Sequence, residues 1–372
     1  FGSGNGNVNS GLNTNPNLIA NTQITWERTK QVNYGLDVAA FKNRVNLAVD
    51  VYSSTTEALL LQQPSMAFTG GLFFNNNIGR IQNSGVEVEL SSINVTTKRF
   101  KWTTALNFSR NKNNIIELGK ELLILNQGER TELYLNQPGN PLIQFFGYKT
   151  DGVWLSQQEI IDAQAKGLTT TLGSTVFVPG GLKLVDVNGD NVIDANDRTV
   201  IGNPYPKFTW GITNSFNYKS FDLSFTFQGV QGGNLINGDR NYNESRRYIK
   251  EYTENRWISP ANPGDGKTPY STIGYNWMLT DYAVEDASYV ALREVLLGYT
   301  VNSKLAKKVG LSGLRVYASA QNLLFFFPSG YKGLNPEARS ASSFYASPLI
   351  DGYQRGGFPT SRSFLFGIDI NF

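Results

Sequence analysis

From Lys207 to Gln228, large apolar and small polar residues alternate with a period of two. Phe208, Trp210, Ile212, Phe216 and Tyr218 fall on one face, and Thr209, Gly211, Thr213, Ser215 and Asn217 on the other; only Asn214 interrupts the apolar side. After a two-residue link, Lys219-Ser220, the positions Phe221, Leu223, Phe225 and Phe227 alternate with Asp222, Ser224, Thr226 and Gln228. Successive strand side chains point to opposite faces, so this stretch predicts a β-hairpin. The pattern recurs. Val32, Tyr34, Leu36 and Val38 precede a turn at Phe41 to Arg44 and then Val45, Leu47, Val49 and Val51, while Val86, Val88 and Leu90 match Phe100, Trp102, Leu106 and Phe108. Further strands are expected at 142–150, 286–301 and 313–323, for about ten to twelve in all.

The chemistry of the two faces narrows the architecture. In a β-sandwich the apolar face meets a second sheet, and large and small residues interlock across about 10 Å. Here that face is almost wholly bulky and aromatic, whereas the opposite face is small and polar. Lipid tails accept the first and a watery lumen the second, which favours an antiparallel transmembrane β-barrel portion. Short links are expected near 41–44, 92–98, 219–220 and 302–312, and long ones over 55–82, 111–141, 151–204, 229–284 and 325–360. That is the asymmetry of short periplasmic turns and long extracellular loops. Two loops are expected to carry helices: Ser156 to Glu159 reads as a capping box opening a stretch that ends at Gly167, and Asn243 to Trp257 is helix-compatible. The tail alternates again, with Phe364, Phe366, Ile368, Ile370 and Phe372 on one face.

Composition removes most catalytic chemistry. The 372 residues include no Cys and no His, so thiol nucleophiles, imidazole bases and most transition-metal sites are excluded, and no enzyme is expected. Lys and Arg number 33 against 30 Asp and Glu, spread evenly, which does not make the basic stripe that nucleic acid requires. Mean hydropathy is −0.29, and no apolar run has the length of a membrane helix, but barrel strands hide their apolar half in alternation. The Gly- and Asn-rich opening has no basic and apolar segments of a signal peptide, so the chain reads as a mature product or a fragment.

One stretch has metal-ligand spacing. Asp186, Asn188, Asp190, Asp194 and Asp197 stand at positions 1, 3, 5, 9 and 12 of an EF-hand-type loop, with the Val192 carbonyl at 7. Hard oxygen donors at that spacing suit a structural Ca²⁺. Asn191 replaces the usual Gly at position 6, and Asp197 replaces Glu at 12.

Several segments in order resemble a known family. They are Asn15-Pro16-Asn17-Leu18, Trp26-Glu27-Arg28-Thr29, Asp50-Val51-Tyr52 with Leu59-Leu60, and the block from Asn77 to Glu87 reading NIGRIQNSGVE. Then come the Asp186–Asp197 loop, Ile201 to Lys207, Leu297-Gly298-Tyr299-Thr300 and Arg315 to Leu323. Together they resemble the SusC/RagA-type TonB-dependent transporters of the bacterial outer membrane. That resemblance implies a 22-stranded barrel of which residues 1–372 are the C-terminal part, with 111–204 and 229–284 as extracellular loop regions. On the same resemblance, the family's N-terminal plug domain is expected to be absent from this chain. It further implies a lipid bilayer, a SusD-like lipoprotein cap, TonB acting through the missing N-terminal part, a glycan or peptide substrate, and a possible dimer of transporter–lipoprotein pairs. A passive pore or structural barrel scaffold is the alternative, and a secreted Ca²⁺-stabilised sandwich that binds carbohydrate is a third reading.

Overall fold

The computed structural model describes residues 18–19, 21–64, 73–119, 123–126, 133–240, 250–270, 278–308, 310–339, 350–355 and 357–372. Nine strands form one antiparallel sheet in chain order: β1 (Arg28–Ala40), β2 (Val45–Glu57), β3 (Arg80–Thr96), β4 (Phe100–Glu117), β5 (Phe208–Tyr218), β6 (Phe221–Gln231), β7 (Tyr289–Thr300), β8 (Gly313–Phe326) and β9 (Ser363–Asn371). Each of the nine is long enough to cross a bilayer core, which takes about 9–11 tilted residues. Among the described residues β1 and β9 are open edges, each paired on one side only.

Register carries the apolar face across the whole wall. Leu36 pairs with Val49, Val49 with Val88, Val88 with Phe108, and Phe108 with Trp210. On the far side Phe221 pairs with Tyr299, Tyr299 with Val316, and Val316 with Ile368. No second sheet covers this face among the described residues: Tyr34 is 75% exposed and Phe366 80%. In water such a face would be costly at about 25 cal/mol per Å², whereas lipid tails remove that cost. The sandwich expectation is therefore corrected. Asn214, the polar break on this side, is supplied internally: its amide oxygen accepts from Trp102 Nε1 at 3.0 Å and from Thr104 Oγ1 at 2.7 Å. Gly229 makes room for the neighbouring Trp210, because a Cβ there would lie 2.1 Å from the indole nitrogen.

Short and long connections alternate as expected, with shifted limits. Residues 41–44, 97–99, 219–220 and 301–312 join strands at one end, and 58–79, 118–207, 232–288 and 327–362 at the other. The Thr97 hydroxyl closes the second turn by accepting from the amides of Arg99 (3.3 Å) and Phe100 (3.0 Å). Strand β3 thus extends to Thr96 and β4 to Glu117, deeper than the alternation suggested.

The expected wall strand at 142–150 is also corrected. Gln144–Gly147 belongs to a separate four-stranded sheet, between Leu133–Asn136 and Thr199–Gly202. The reason is burial: Phe145 is fully buried and cannot face lipid. The wall accordingly holds nine described strands against the expected ten to twelve.

Most of the buried core lies outside the wall, in a lobe built from the long connections, joined by residues at the loop-side ends of the strands such as Ile115 and Ala291. One cluster joins Tyr134, Ile143, Phe145, Ile236, Leu279, Ala283, Ile350 and Tyr353; a second joins Tyr148, Val153, Val176, Leu182, Leu184, Ile193 and Met278. Helix α1 (Gln157–Ala165) has the expected cap at Ser156, Glu159 N–H donating to Ser156 Oγ at 3.2 Å, but the box is not reciprocal: the Glu159 carboxylate accepts from Leu155 N–H at 2.8 Å, one residue before the cap, and not from Ser156 N–H. The expected helix at 243–257 falls partly outside the described residues, and Asn15 to Asn17 wholly so; of its described part, 250–257, Lys250–Asn255 is helical and the last two residues are not.

One bulge ties wall to lobe. Register shifts on both sides of β7 leave Arg293 without a partner in the ladder. Its guanidinium donates to Gln228 Oε1 (2.6 Å) on β6, to Asn322 Oδ1 (3.0 Å) on β8 and to the Glu337 carboxylate of the 327–362 connection, which also accepts from Tyr289 Oη at 2.7 Å. Burial pushes the Glu337 carboxyl pKa up, but the Arg293 and Tyr289 hydrogen bonds outweigh it and hold it below the usual value.

Because Glu337 has a depressed folded-state pKa, its contribution is present at neutral pH and is lost as pH falls below about 4. Arg293→Met should remove the anchor, costing about 1.5–3 kcal/mol. Limited proteolysis of the membrane-embedded protein is expected to cut within 327–362 faster in the variant at pH 7, and in the unaltered protein only on acidification. Equal cleavage rates at pH 7 would refute the anchoring role.

Candidate ligand cavity and oxygen-rich loop

Three of the lobe's connections converge on an open cavity of about 950 Å³. Its lining includes Asp151, Arg240, Tyr252, Asp265, Lys267, Glu285 and Tyr331. Glu285 organises one wall. Although only 4% exposed, it accepts from Asn237 Nδ2 at 3.0 Å and from the backbone amides of Lys332 (3.0 Å) and Gly333 (3.2 Å), with Arg240 Nη1 at 3.6 Å. A buried carboxylate is tolerable only with such partners, because an unpaired one costs several kcal/mol. The Arg240 guanidinium also lies 4.0 Å over the Tyr282 ring, which holds a cation at the cavity surface.

The other walls are fixed by backbone donors. Asp265 accepts from the amides of Lys267 (2.8 Å) and Thr268 (2.7 Å) and from Thr268 Oγ1 (2.9 Å). Burial raises its carboxyl pKa, but those hydrogen bonds prevail and leave it lowered, so the group is anionic. Asp281 accepts from Thr150 N and Oγ1 at 3.0 and 2.6 Å. Tyr252 Oη donates to the Tyr270 carbonyl at 2.6 Å, and burial pushes the Tyr331 phenol up, keeping it neutral. The cavity therefore offers carboxylates, cations, amides and tyrosine faces together, the range of contacts that fixes a polar ligand. Periodicity did not expose it, because Glu285 and its partners come from 237–240, 282–285 and 332–333 and share no spacing.

The oxygen-rich loop lies elsewhere in the lobe, after the strand Leu182–Leu184. Its expected ligands divide into two turns. In the first, Asp186 accepts from Gly189 N (2.7 Å) and Asn191 N (2.8 Å), Asn188 from Asp190 N (2.9 Å), and Asp190 from Val192 N (2.8 Å). In the second, Asp194 accepts from Asn196 N (2.6 Å), while fully buried Asp197 accepts from Val187 N and Asp194 N, both at 2.8 Å. Asn191 takes φ +64°, the left-handed conformation for which glycine is the usual choice. As folded here, the carboxylates serve backbone amides, and among the described residues no three Asp, Glu, His or Cys side chains gather closely enough to hold a metal ion.

On the lumen face of the wall, Arg315 of β8 bridges Asp222 of β6 at 2.7 Å and Asp369 of β9 at 3.1 Å. It crosses above Gly298 of β7, where a Cβ would collide with both Asp222 and Arg315. The residues that bind these strands together are thus polar and inward, and those facing outward are apolar.

No protein-family model matches the sequence. Known relatives do. TonB-dependent receptor P3 of Formosa agariphila is 34% identical over 367 residues, covering 95% of this chain and 35% of the relative. TonB-dependent receptor SusC of Bacteroides thetaiotaomicron is 26% identical, covering 95% of this chain and 32% of its own length. The solved RagAB peptide importer in its closed-closed state superposes with a TM-score of 0.71 at 24% identity, over 95% of this chain and 36% of that one. The chain thus spans about a third of the length of the relatives it matches. These relatives are outer-membrane receptors and transporters, not enzymes. Sequence and fold together place this chain among the SusC/RagA-type TonB-dependent receptors, as a portion of the outer-membrane barrel wall with the lobe built on its long loops.

Proposed function

We propose that the chain forms part of a TonB-dependent nutrient importer, in which the lobe holds an oligosaccharide or peptide above the lumen and a SusD-like lipoprotein closes over it. TonB would act through regions of the relatives that this chain does not span. The observation that carries this reading is the wall with an uncovered apolar face whose long connections fold into one lobe around an open polar cavity. A cavity rich in both charge signs and tyrosine suits a polar polymer rather than a lipid. The possible pairing of two transporter–lipoprotein units belongs to the same proposal.

Uptake of candidate oligosaccharides and peptides by cells carrying the full-length receptor tests it. Import is expected to stop when the proton-motive force is dissipated. Asp151→Asn with Lys267→Gln should lower uptake at limiting substrate by roughly threefold to tenfold, the loss of one or two cavity hydrogen bonds. Uptake that survives dissipation would instead identify a passive pore.

A structural Ca²⁺ in the 186–197 loop is a second proposal. It is supported by the left-handed Asn191 and by the turn in which half-buried Asp186 and exposed Asn188 and Asp190 fold onto adjacent backbone amides. Binding would have to draw these oxygens together in place of some of their amide contacts. Calcium is expected to slow protease cleavage within 182–199, and a chelator to restore it; Asp186→Ala with Asp190→Ala should abolish the difference. Cleavage indifferent to both calcium and chelator would eliminate the ion.

A further inference from the structure

On the outward face of β3 and β4 the apolar pairing Val88–Phe108 is followed, two residues closer to the long connections, by Val86–Arg110 and then Ser84–Lys112. The register between these pairs is unbroken, so Arg110 and Lys112 stand on the same face as Phe108, just above the aromatic band. At this height the wall also opens. Pairing of β4 with β5 ends at Ser109–Thr209, and the chain preceding β5 diverges. The gap is a cavity of about 550 Å³ whose lining includes Phe108, Arg110, Lys112, Tyr205, Lys207 and Phe208. Among the described residues its lining holds three cations and no carboxylate. None of the three cationic side chains makes an ion pair or hydrogen bond with a described residue. The Phe108 and Phe208 rings, 5.5 Å apart, form its floor toward the apolar band.

Three cations without a described counter-ion, gathered at the edge of a lipid-facing surface, are complementary to an anion. The long-connection end is the extracellular end of such a barrel, and aromatic girdles mark the headgroup level. We propose that this slot binds the phosphate of a phosphorylated lipid headgroup in the outer leaflet, with the lipid's acyl chains lying against the Val86, Val88, Phe108 and Trp210 face. A guanidinium matches phosphate oxygens in a paired, planar contact, and the two ammonium groups add charge around it. Basic pockets between membrane-spanning elements hold lipid headgroups by the same chemistry. A lipid phosphate is favoured over a free anion because the slot adjoins the lipid-facing Val88–Phe108–Trp210 band, so acyl chains lying on that band hold the headgroup beside the cations.

Native mass spectrometry of the full-length receptor, released from nanodiscs containing a bisphosphorylated outer-leaflet glycolipid, counts retained lipid directly. Retention is expected for the phosphorylated lipid and not for the same lipid with its phosphates removed, and inorganic phosphate at millimolar concentration should compete poorly. Each cation contributes roughly a factor of five near a membrane surface, so Arg110→Gln alone should weaken retention about fivefold, and R110Q/K112Q/K207Q on the order of a hundredfold. The matched change in charge at the opposite rim, K42Q/K98Q/R99Q, should leave retention unchanged. The site is overturned if the dephosphorylated lipid is held as well, if inorganic phosphate displaces the lipid fully, or if the two triple variants behave alike. Should the cavity triple variant fail to insert, Arg110→Gln decides: retention equal to that of the unaltered receptor refutes the proposal.

Discussion

A backbone N–H or C=O facing hydrocarbon finds no water, and leaving it unpaired costs several kcal/mol. Every wall strand must therefore be laddered to a neighbour throughout the lipid, and most other features follow from that. Because the ladder fixes register, one face repeats as Leu36, Val49, Val88, Phe108 and Trp210 across five strands. Asn214 is accepted on that face only because Trp102 and Thr104 already point donors at it. The ladder is relaxed at Arg293, near the loop-side end of β7, where a guanidinium with several acceptors replaces the lost pairing.

The period-two pattern made the wall readable, since each hairpin from Phe208 to Phe227 or Val32 to Val51 shows both faces within a short window. The Ser156–Glu159 cap was equally local, and the structure forms it. The lobe was not readable in this way. Phe145 and its neighbours carry a strand-like pattern indistinguishable from that of a wall strand, and only the burial of Phe145 against Tyr134 and Ile236 assigns it elsewhere. Glu285 and Arg293 gave no signal, because their partners lie tens of residues away and a bulge leaves no periodic trace. The oxygen spacing at 186–197 was legible as a turn-forming pattern, and its Asp and Asn side chains close turns on their own backbone.

Wall and lobe thus obey opposite rules within one chain. In the wall, bulky side chains are exposed and the polar face holds the strands together, Arg315 clasping Asp222 and Asp369 across β7. In the lobe, the bulky side chains are inside and the charges line a cavity open to water. Two solvents have selected two folding logics, and Arg293 with Glu337 stands where they meet.

The cluster around Phe145 takes Tyr134 and Ile143 from the connection between β4 and β5, Ile236, Leu279 and Ala283 from that between β6 and β7, and Ile350 and Tyr353 from that between β8 and β9. No one of these connections can close the core by itself. The cluster consequently couples the three connections to one another: its residues are together only where the strands from β4 to β9 stand side by side, because strand pairing offsets the entropy of closing each loop. A cavity built on that core cannot exist on a half-assembled wall, so the lobe takes shape together with this part of the wall.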